Sequence, residues 1–143
     1  ALLGQSFPEE TPFEGTILDN ITFGDKTVPQ KNIDWAVEKM GLADFVKDQP
    51  NGLNTLIKPE GQRLSKTIAD KIVMARSIVR KPKLLILKEP LTKFSTEEKE
   101  RIVNFLFDKS NPWAIIVASK DKAWQNCCER TLWLDSGKLS TSN

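Results

Sequence analysis

Residues 64–90 read LSKTIADKIVMARSIVRKPKLLILKEP, and this stretch decides the fold. Leu64, Ile68, Ile72, Ala75 and Val79 recur at intervals of three and four, the spacing of one helix face. Residues 84–87 then form an unbroken apolar run, the pattern of a strand covered on both sides as in a parallel sheet. The run ends on Lys88, Glu89 and Pro90. A helix followed by a buried strand with a charged end is the expected local structure.

Downstream the alternation continues. Ser95-Thr96-Glu97-Glu98 has the form of a capping box, in which the serine hydroxyl accepts a backbone N–H and Glu98 reaches back. The helix it opens is expected to run to about Lys109, with Ile102, Phe105 and Leu106 inward. Residues 114–118 read as a second buried strand, and a short helix is expected near residues 121–127. Residues 131–135 then lead to a turn at Ser136-Gly137, which sends the chain back through Lys138 and Leu139. Strands alternating with helices predict an α/β fold with a parallel sheet and right-handed crossovers.

Upstream the character is mostly helical. A short strand is expected at residues 2–7, then a loop from Pro8 to Pro12 and a helical piece from Gly15 to Ile21 ending near Gly24. Residues 25–30 read as a polar loop. A helix is predicted from Asn32, because Ile33, Ala36, Val37 and Met40 keep helical spacing and Gly41 follows as a stop. Leu42, Phe45 and Val46 make another amphipathic turn, Pro50-Asn51-Gly52 is a turn signal, and residues 54–62 read as loop.

The chain has 143 residues, enough for one core. With 21 basic and 19 acidic side chains it has no concentrated positive charge to favour nucleic acid. It has no histidine, so imidazole bases, histidine metal ligands and serine–histidine–aspartate triads are excluded. Its two cysteines, Cys127 and Cys128, are adjacent, which gives no disulfide framework and too few ligands for zinc; a reducing compartment fits best. The longest apolar run, residues 113–118, is far short of the roughly 20 residues that span a bilayer. The opening ALLGQSFPEETP lacks the basic start of a signal peptide. The abrupt start on a strand-like segment suggests an excised fragment, so any membrane association is expected to come from a partner or an outside segment.

The 64–90 stretch resembles the signature helix and Walker B strand of an ATP-binding cassette (ABC) protein, whose pattern runs LSGGQ, a long helix, R-K-P-K, four apolar residues and Asp-Glu-Pro. FEGTILDNI at residues 13–21 resembles the exporter-type segment after the Q-loop. Asp44-Phe45-Val46 and Pro50-Asn51-Gly52-Leu53-Asn54-Thr55 resemble the path through the helical subdomain, and Asp135-Ser136-Gly137-Lys138-Leu139 the closing strand-turn-strand. The likeness covers nearly the whole chain. It implies a P-loop NTPase-like cassette fragment: a helical subdomain and signature helix at about 13–80, then a partial parallel sheet with flanking helices at about 81–143. The phosphate-cradling G-x-x-x-x-G-K-[ST] loop occurs nowhere in the 143 residues.

The resemblance also implies a site, and the sequence departs from it at four motifs. Ser65 matches the signature serine, but the two glycines are Lys66 and Thr67, which put bulk where bare backbone N–H groups would meet a phosphate. An ordinary helix with Ser65 as N-cap is the plain alternative. Glu89 matches the glutamate that polarises the attacking water. Lys88 stands at the metal-associated aspartate and cannot ligate Mg²⁺; it is expected to pair with Glu89 or with phosphate, or to reach solvent from the strand end. Ser119 stands at the switch histidine, and Thr92-Lys93-Phe94-Ser95 replaces the D-loop. The Q-loop position falls nearer Glu9 than Gln5. Implied partners are a second nucleotide-binding domain and a transmembrane domain at the cytoplasmic face of a membrane. The implied cofactor is ATP in the intact protein, with Lys88 arguing against Mg²⁺ here.

Losing one transition-state stabiliser typically costs about 2.7–4 kcal/mol, so four departures predict a non-hydrolysing or regulatory cassette. A competent ATPase with atypical motifs and an interaction module without nucleotide function are the alternatives.

Overall fold

The computed structural model describes residues 3–58 and 64–141; residue 2 of the first expected strand and residues 59–62 of the expected loop lie outside them. The elements, in order, are β1 (Leu3–Ser6), β2 (Gly15–Thr16), α1 (Ile17–Thr22), α2 (Gln30–Lys39), α3 (Ala43–Lys47), a 3₁₀ turn (Gly52–Asn54) and β3 (Leu56–Ile57). The second half follows as α4 (Lys66–Ile78), β4 (Leu84–Lys88), α5 (Thr96–Leu106), β5 (Ala114–Ala118), α6 (Lys122–Gln125), β6 (Leu132–Asp135) and β7 (Lys138–Thr141). The fold is α/β, as the alternation predicts.

The main sheet has the order β1-β4-β5, all parallel, so residues from the start of the chain flank the apolar run of the deciding stretch. Its pairing register (Leu3 with Leu84, Leu84 with Ala114) puts alternate residues of all three strands on common faces. Leu85 and Leu87 lie on the covered face and are buried. The opposite face carries Leu3, Ile86 and Ile116, and Ile116 is 58% exposed. Neither apolar run is therefore covered on both sides: β4 alternates half-buried and buried, and β5 alternates exposed and half-buried. An apolar run records that a strand can be covered on both faces, while the described helices cover one.

Helix α4 is the central packing element, in contact with α1, α2 and β1. Its second half is buried nearly all round, through Ile72, Val73, Met74, Ala75 and Ile78, a wider surface than the single predicted face. The strand beside it needs a glycine. A Cβ on Gly4 would come within 2.2 Å of the Ser77 carbonyl oxygen, so a side chain there would push β1 off the helix.

Other boundaries move for local reasons. Helix α2 begins at Gln30, with Pro29 at its N-cap, two residues ahead of the expected start. Gly15 and Thr16, expected to open the helical piece, instead pair antiparallel with Ile57 and Leu56 of the expected loop, a two-residue ladder. Such a ladder is too short for its period to register. Helix α5 stops at Leu106 rather than near Lys109, because Asp108 accepts from the Ser110 amide at 2.8 Å and its hydroxyl at 2.6 Å, a turn that competes with the helix. The capping box also fails in its second half. Ser95 Oγ accepts from the Glu98 amide at 3.3 Å, but the Glu98 carboxylate pairs with the buried Lys71 of α4. A complete capping box occurs elsewhere, between Thr16 and Asp19 at the start of α1.

Candidate functional site

The C-terminal end of β4 is where the expected site residues converge. Lys88 is the last residue of the strand, and the Glu89 amide extends the ladder by donating to Ala118 O at 2.8 Å. Glu89 and Leu91 then both take left-handed backbone conformations, with φ of 42° and 61°. Two such non-glycine residues around Pro90 make a sharp, strained turn of the kind held in place only by its surroundings. Here Leu91 is buried and Phe94 donates its amide to Leu91 O at 3.3 Å.

Beside this turn lies a narrow cleft of about 40 Å³, walled by the end of β1, the first turns of α4 and the segment after β4. That is far below the roughly 300–1,000 Å³ of a small-molecule pocket, so these walls form at most one side of a nucleotide-sized site. Lys66, Lys88 and Glu89 line it, and the structure adds Asp70, which sequence reasoning did not select. Lys66 Nζ is 3.0 Å from Asp70 Oδ1. The interval of four on one helix was the signal available for that pair.

Lys88 does not pair with Glu89. Its Nζ lies 3.7 Å from Glu9 Oε1, with side chains 55% and 70% exposed. Consecutive residues at a strand end point apart, and the left-handed turn at Glu89 carries its carboxylate towards β5 instead. There Ser119 Oγ is 3.4 Å from Glu89 Oε2. Because Ser119 Oγ already accepts the Asp121 amide at 3.0 Å, its own proton is free to be donated to Glu89. Both residues proposed from the sequence on the two strand ends are thus brought together, and Glu9, the favoured Q-loop position, meets Lys88. Gln5 stays in β1 and donates to Glu10 Oε1 at 2.8 Å.

Ser65 and Thr67 sit at the start of α4 and do not line the cleft. Ser65 is the N-cap, accepting from the Ile68 amide at 3.2 Å, and its hydroxyl is also 3.2 Å from that of Thr67. Two further residues enter behind Ser119. Asp121 Oδ2 accepts from Lys99 Nζ of α5 at 2.5 Å, and Oδ1 accepts from the Ala123 amide at 2.9 Å. These bonds, that from Lys99 first, hold the Asp121 carboxyl below the usual carboxylate range. No sequence signal could have joined Lys99 to Asp121, because the contact is made by tertiary packing.

The residues do not suit a divalent cation. Lys88 puts an ammonium at the strand end, and among the described residues no group of three or more histidine, cysteine, aspartate or glutamate side chains could hold a metal ion. A second hollow, of about 450 Å³ and open to solvent, lies beside the Asp25–Arg80 pair (3.1 Å) and contains none of the expected residues.

No protein-family model matches the chain. Individual relatives do. The chain is 33% identical over 141 residues to P-glycoprotein 14 of Caenorhabditis elegans, covering 97% of this chain and 10% of that protein. It is 31% identical over 131 residues to the ATP-dependent lipid A-core flippase of Idiomarina loihiensis, covering 90% of this chain and 22% of that one. Among solved structures, a bacterial Atm1-family ABC exporter with ATP bound superposes with a TM-score of 0.84 at 24% identity, over 97% of this chain and 24% of that chain; this likeness speaks for the fold. The chain thus spans between about a tenth and a quarter of the length of these proteins. By sequence and by fold together, it belongs to the exporter-type ABC proteins, as a stretch of their ATP-binding domain.

Proposed function

We propose that this chain is part of an ATP-binding cassette whose phosphate-facing site is degenerate, serving an exporter by binding and regulation rather than by hydrolysis. The division into a helical subdomain at about 13–80 and an α/β part at about 81–143 belongs to the same reading. In the intact protein it acts with a second nucleotide-binding domain and a transmembrane domain at the cytoplasmic face of a membrane. Among the described residues no helix is long and apolar enough to cross a membrane.

The observation that carries the reading is Lys88. It occupies the strand end beside Glu89, and its ammonium is drawn to Glu9 rather than neutralised by Glu89. Exposed ion pairs such as Lys88–Glu9 and Lys66–Asp70 contribute only about 0–1 kcal/mol, so a phosphate can displace either carboxylate. ATP held this way depends on ammonium groups, including those of Lys66 and Lys88; Ser65, Thr67 and Ser119, outside the cleft lining and already hydrogen-bonded, would have to change partners to reach it. Glu89 retains a carboxylate where the attacking water would be polarised, which is the one feature favouring a competent ATPase. Its hydroxyl partner Ser119 is no general base near neutral pH.

The test is nucleotide binding and turnover by the intact protein. Weak dependence of ATP affinity on Mg²⁺ and no turnover are expected, and Lys88→Asp should introduce Mg²⁺ dependence without restoring turnover. Tight Mg·ATP binding unchanged by Lys88→Ala, or ready hydrolysis, would refute the reading.

A further inference from the structure

The end of β4 is tied to helix α5 by four consecutive contacts. Lys99 Nζ donates to Asp121 Oδ2 at 2.5 Å, and the Asp121 amide donates to Ser119 Oγ at 3.0 Å. Ser119 Oγ is 3.4 Å from Glu89 Oε2, and the Glu89 amide donates to Ala118 O at 2.8 Å. A hydroxyl has one proton. With one lone pair of Ser119 Oγ engaged by the Asp121 amide, the direction of that proton depends on where the amide is held. The amide is held in turn by the Asp121 side chain, which α6 grips through Ala123 N–H at 2.9 Å and α5 grips through Lys99. Ser119, Asp121 and Lys99 are all partly buried, the Lys99 side chain being 20% exposed and that of Asp121 34%, so the bonds are partly shielded from water.

We propose that Lys99 is a positioning residue that acts through Asp121 and Ser119 to fix the orientation of the Glu89 carboxylate. The linkage stands on the distances above. That Glu89 faces nucleotide rests on the function proposed in the preceding subsection, and the experiment needs no nucleotide, so the two can fail separately. The consequence for that site is a carboxylate whose freedom is set from α5, through a residue that does not itself line the cleft.

The test uses the 143-residue chain with ¹³C-labelled glutamate side chains and ¹⁵N-labelled amides. The readouts are the Glu89 carboxyl resonance at neutral pH and hydrogen exchange at the Asp121 amide. Ser119→Ala should move the Glu89 resonance. Lys99→Met should move it in the same direction and raise Asp121 amide exchange by about fivefold, the equivalent of one ordinary hydrogen bond. Lys99→Arg should restore both, since it keeps a donor and a charge. In the Ser119→Ala background, Lys99→Met should add nothing to the Glu89 change. A Glu89 resonance that ignores Lys99→Met, or that shifts equally with and without the Ser119 hydroxyl, would overturn the proposal. Should Lys99→Met lose its fold, Asp121→Asn takes its place: it weakens the charge-assisted bond while keeping the cap, and must give a smaller change of the same sign.

Discussion

Single side chains in this protein take partners that their sequence neighbours do not suggest. Arg76 of α4 lies against the stacked rings of Phe13 and Phe23, at 5.4 and 4.7 Å from their centroids, and donates to Asn20 O at 2.7 Å and Asn20 Oδ1 at 3.2 Å. Burial pushes its guanidinium below the ordinary value, with the charge of Glu10 opposing. Arg76→Ala is expected to destabilise by about 2–3 kcal/mol, read as a lower denaturation midpoint. Arg76→Lys should recover little of it, because an ammonium lacks the planar fork that serves the rings and the asparagine together. Lys71 makes the second case. It is 8% exposed and depends on Glu98 for its counter-charge. Glu98→Ala should therefore cost about 3 kcal/mol by stranding that ammonium. Ser95→Ala, which removes only the helix cap, should cost about 1 kcal/mol. Equal effects in thermal unfolding would mean the pair contributes nothing beyond the cap.

At the scale of elements, helix ends are secured by side chains that also answer to neighbouring elements. Asp121 caps α6 and binds α5 with one carboxylate. Its pKa is depressed in the folded chain, so the unfolded chain binds its proton more readily on acidification. The stabilisation is fully present above the ordinary carboxylate range and is lost as pH falls through the depressed folded value. Protection of the amides in residues 122–126, relative to their free-peptide exchange rates, should fall over that acidic window, and Asp121→Asn should flatten this part of the pH profile. A profile identical in the variant would assign the acid sensitivity to other carboxylates, with Asp108 and Asp25 the next to examine, since both are also depressed, chiefly by bonds from Ser110 and Thr27.

At the scale of the whole molecule, the open face of the β1-β4-β5 sheet dominates. Parallel sheets ordinarily carry cover on both faces, yet here Leu3 and Ile116 are at least half exposed. The β6–β7 hairpin adds Leu132, Trp133, Leu134 and Leu139, with Leu134 74% exposed. Apolar surface of this kind marks an interaction site or an aggregation liability. The chain is expected to self-associate with rising concentration, and paired Ile116→Lys and Leu134→Lys substitutions should shift sedimentation towards the monomer. A monomer at every concentration would show that these side chains need no cover.

The alternation of helices and strands, the parallel sheet, the N-caps at Ser65 and Ser95 and the convergence of residues 88 and 89 at a strand end were all legible in the sequence. Each is written in spacing or in side-chain chemistry within a few residues, where periodicity and capping act. Tertiary structure decided the rest: that Lys88 turns to Glu9 and Glu89 to Ser119, that Glu98 leaves its cap for Lys71, and that one face of β4 and β5 stays open. An ion pair or hydrogen bond between distant residues depends on which elements pack together and on the backbone angle at one turn. Local pattern carries neither, so the sequence determined the scaffold and its charged end, while packing determined the partner of each charge.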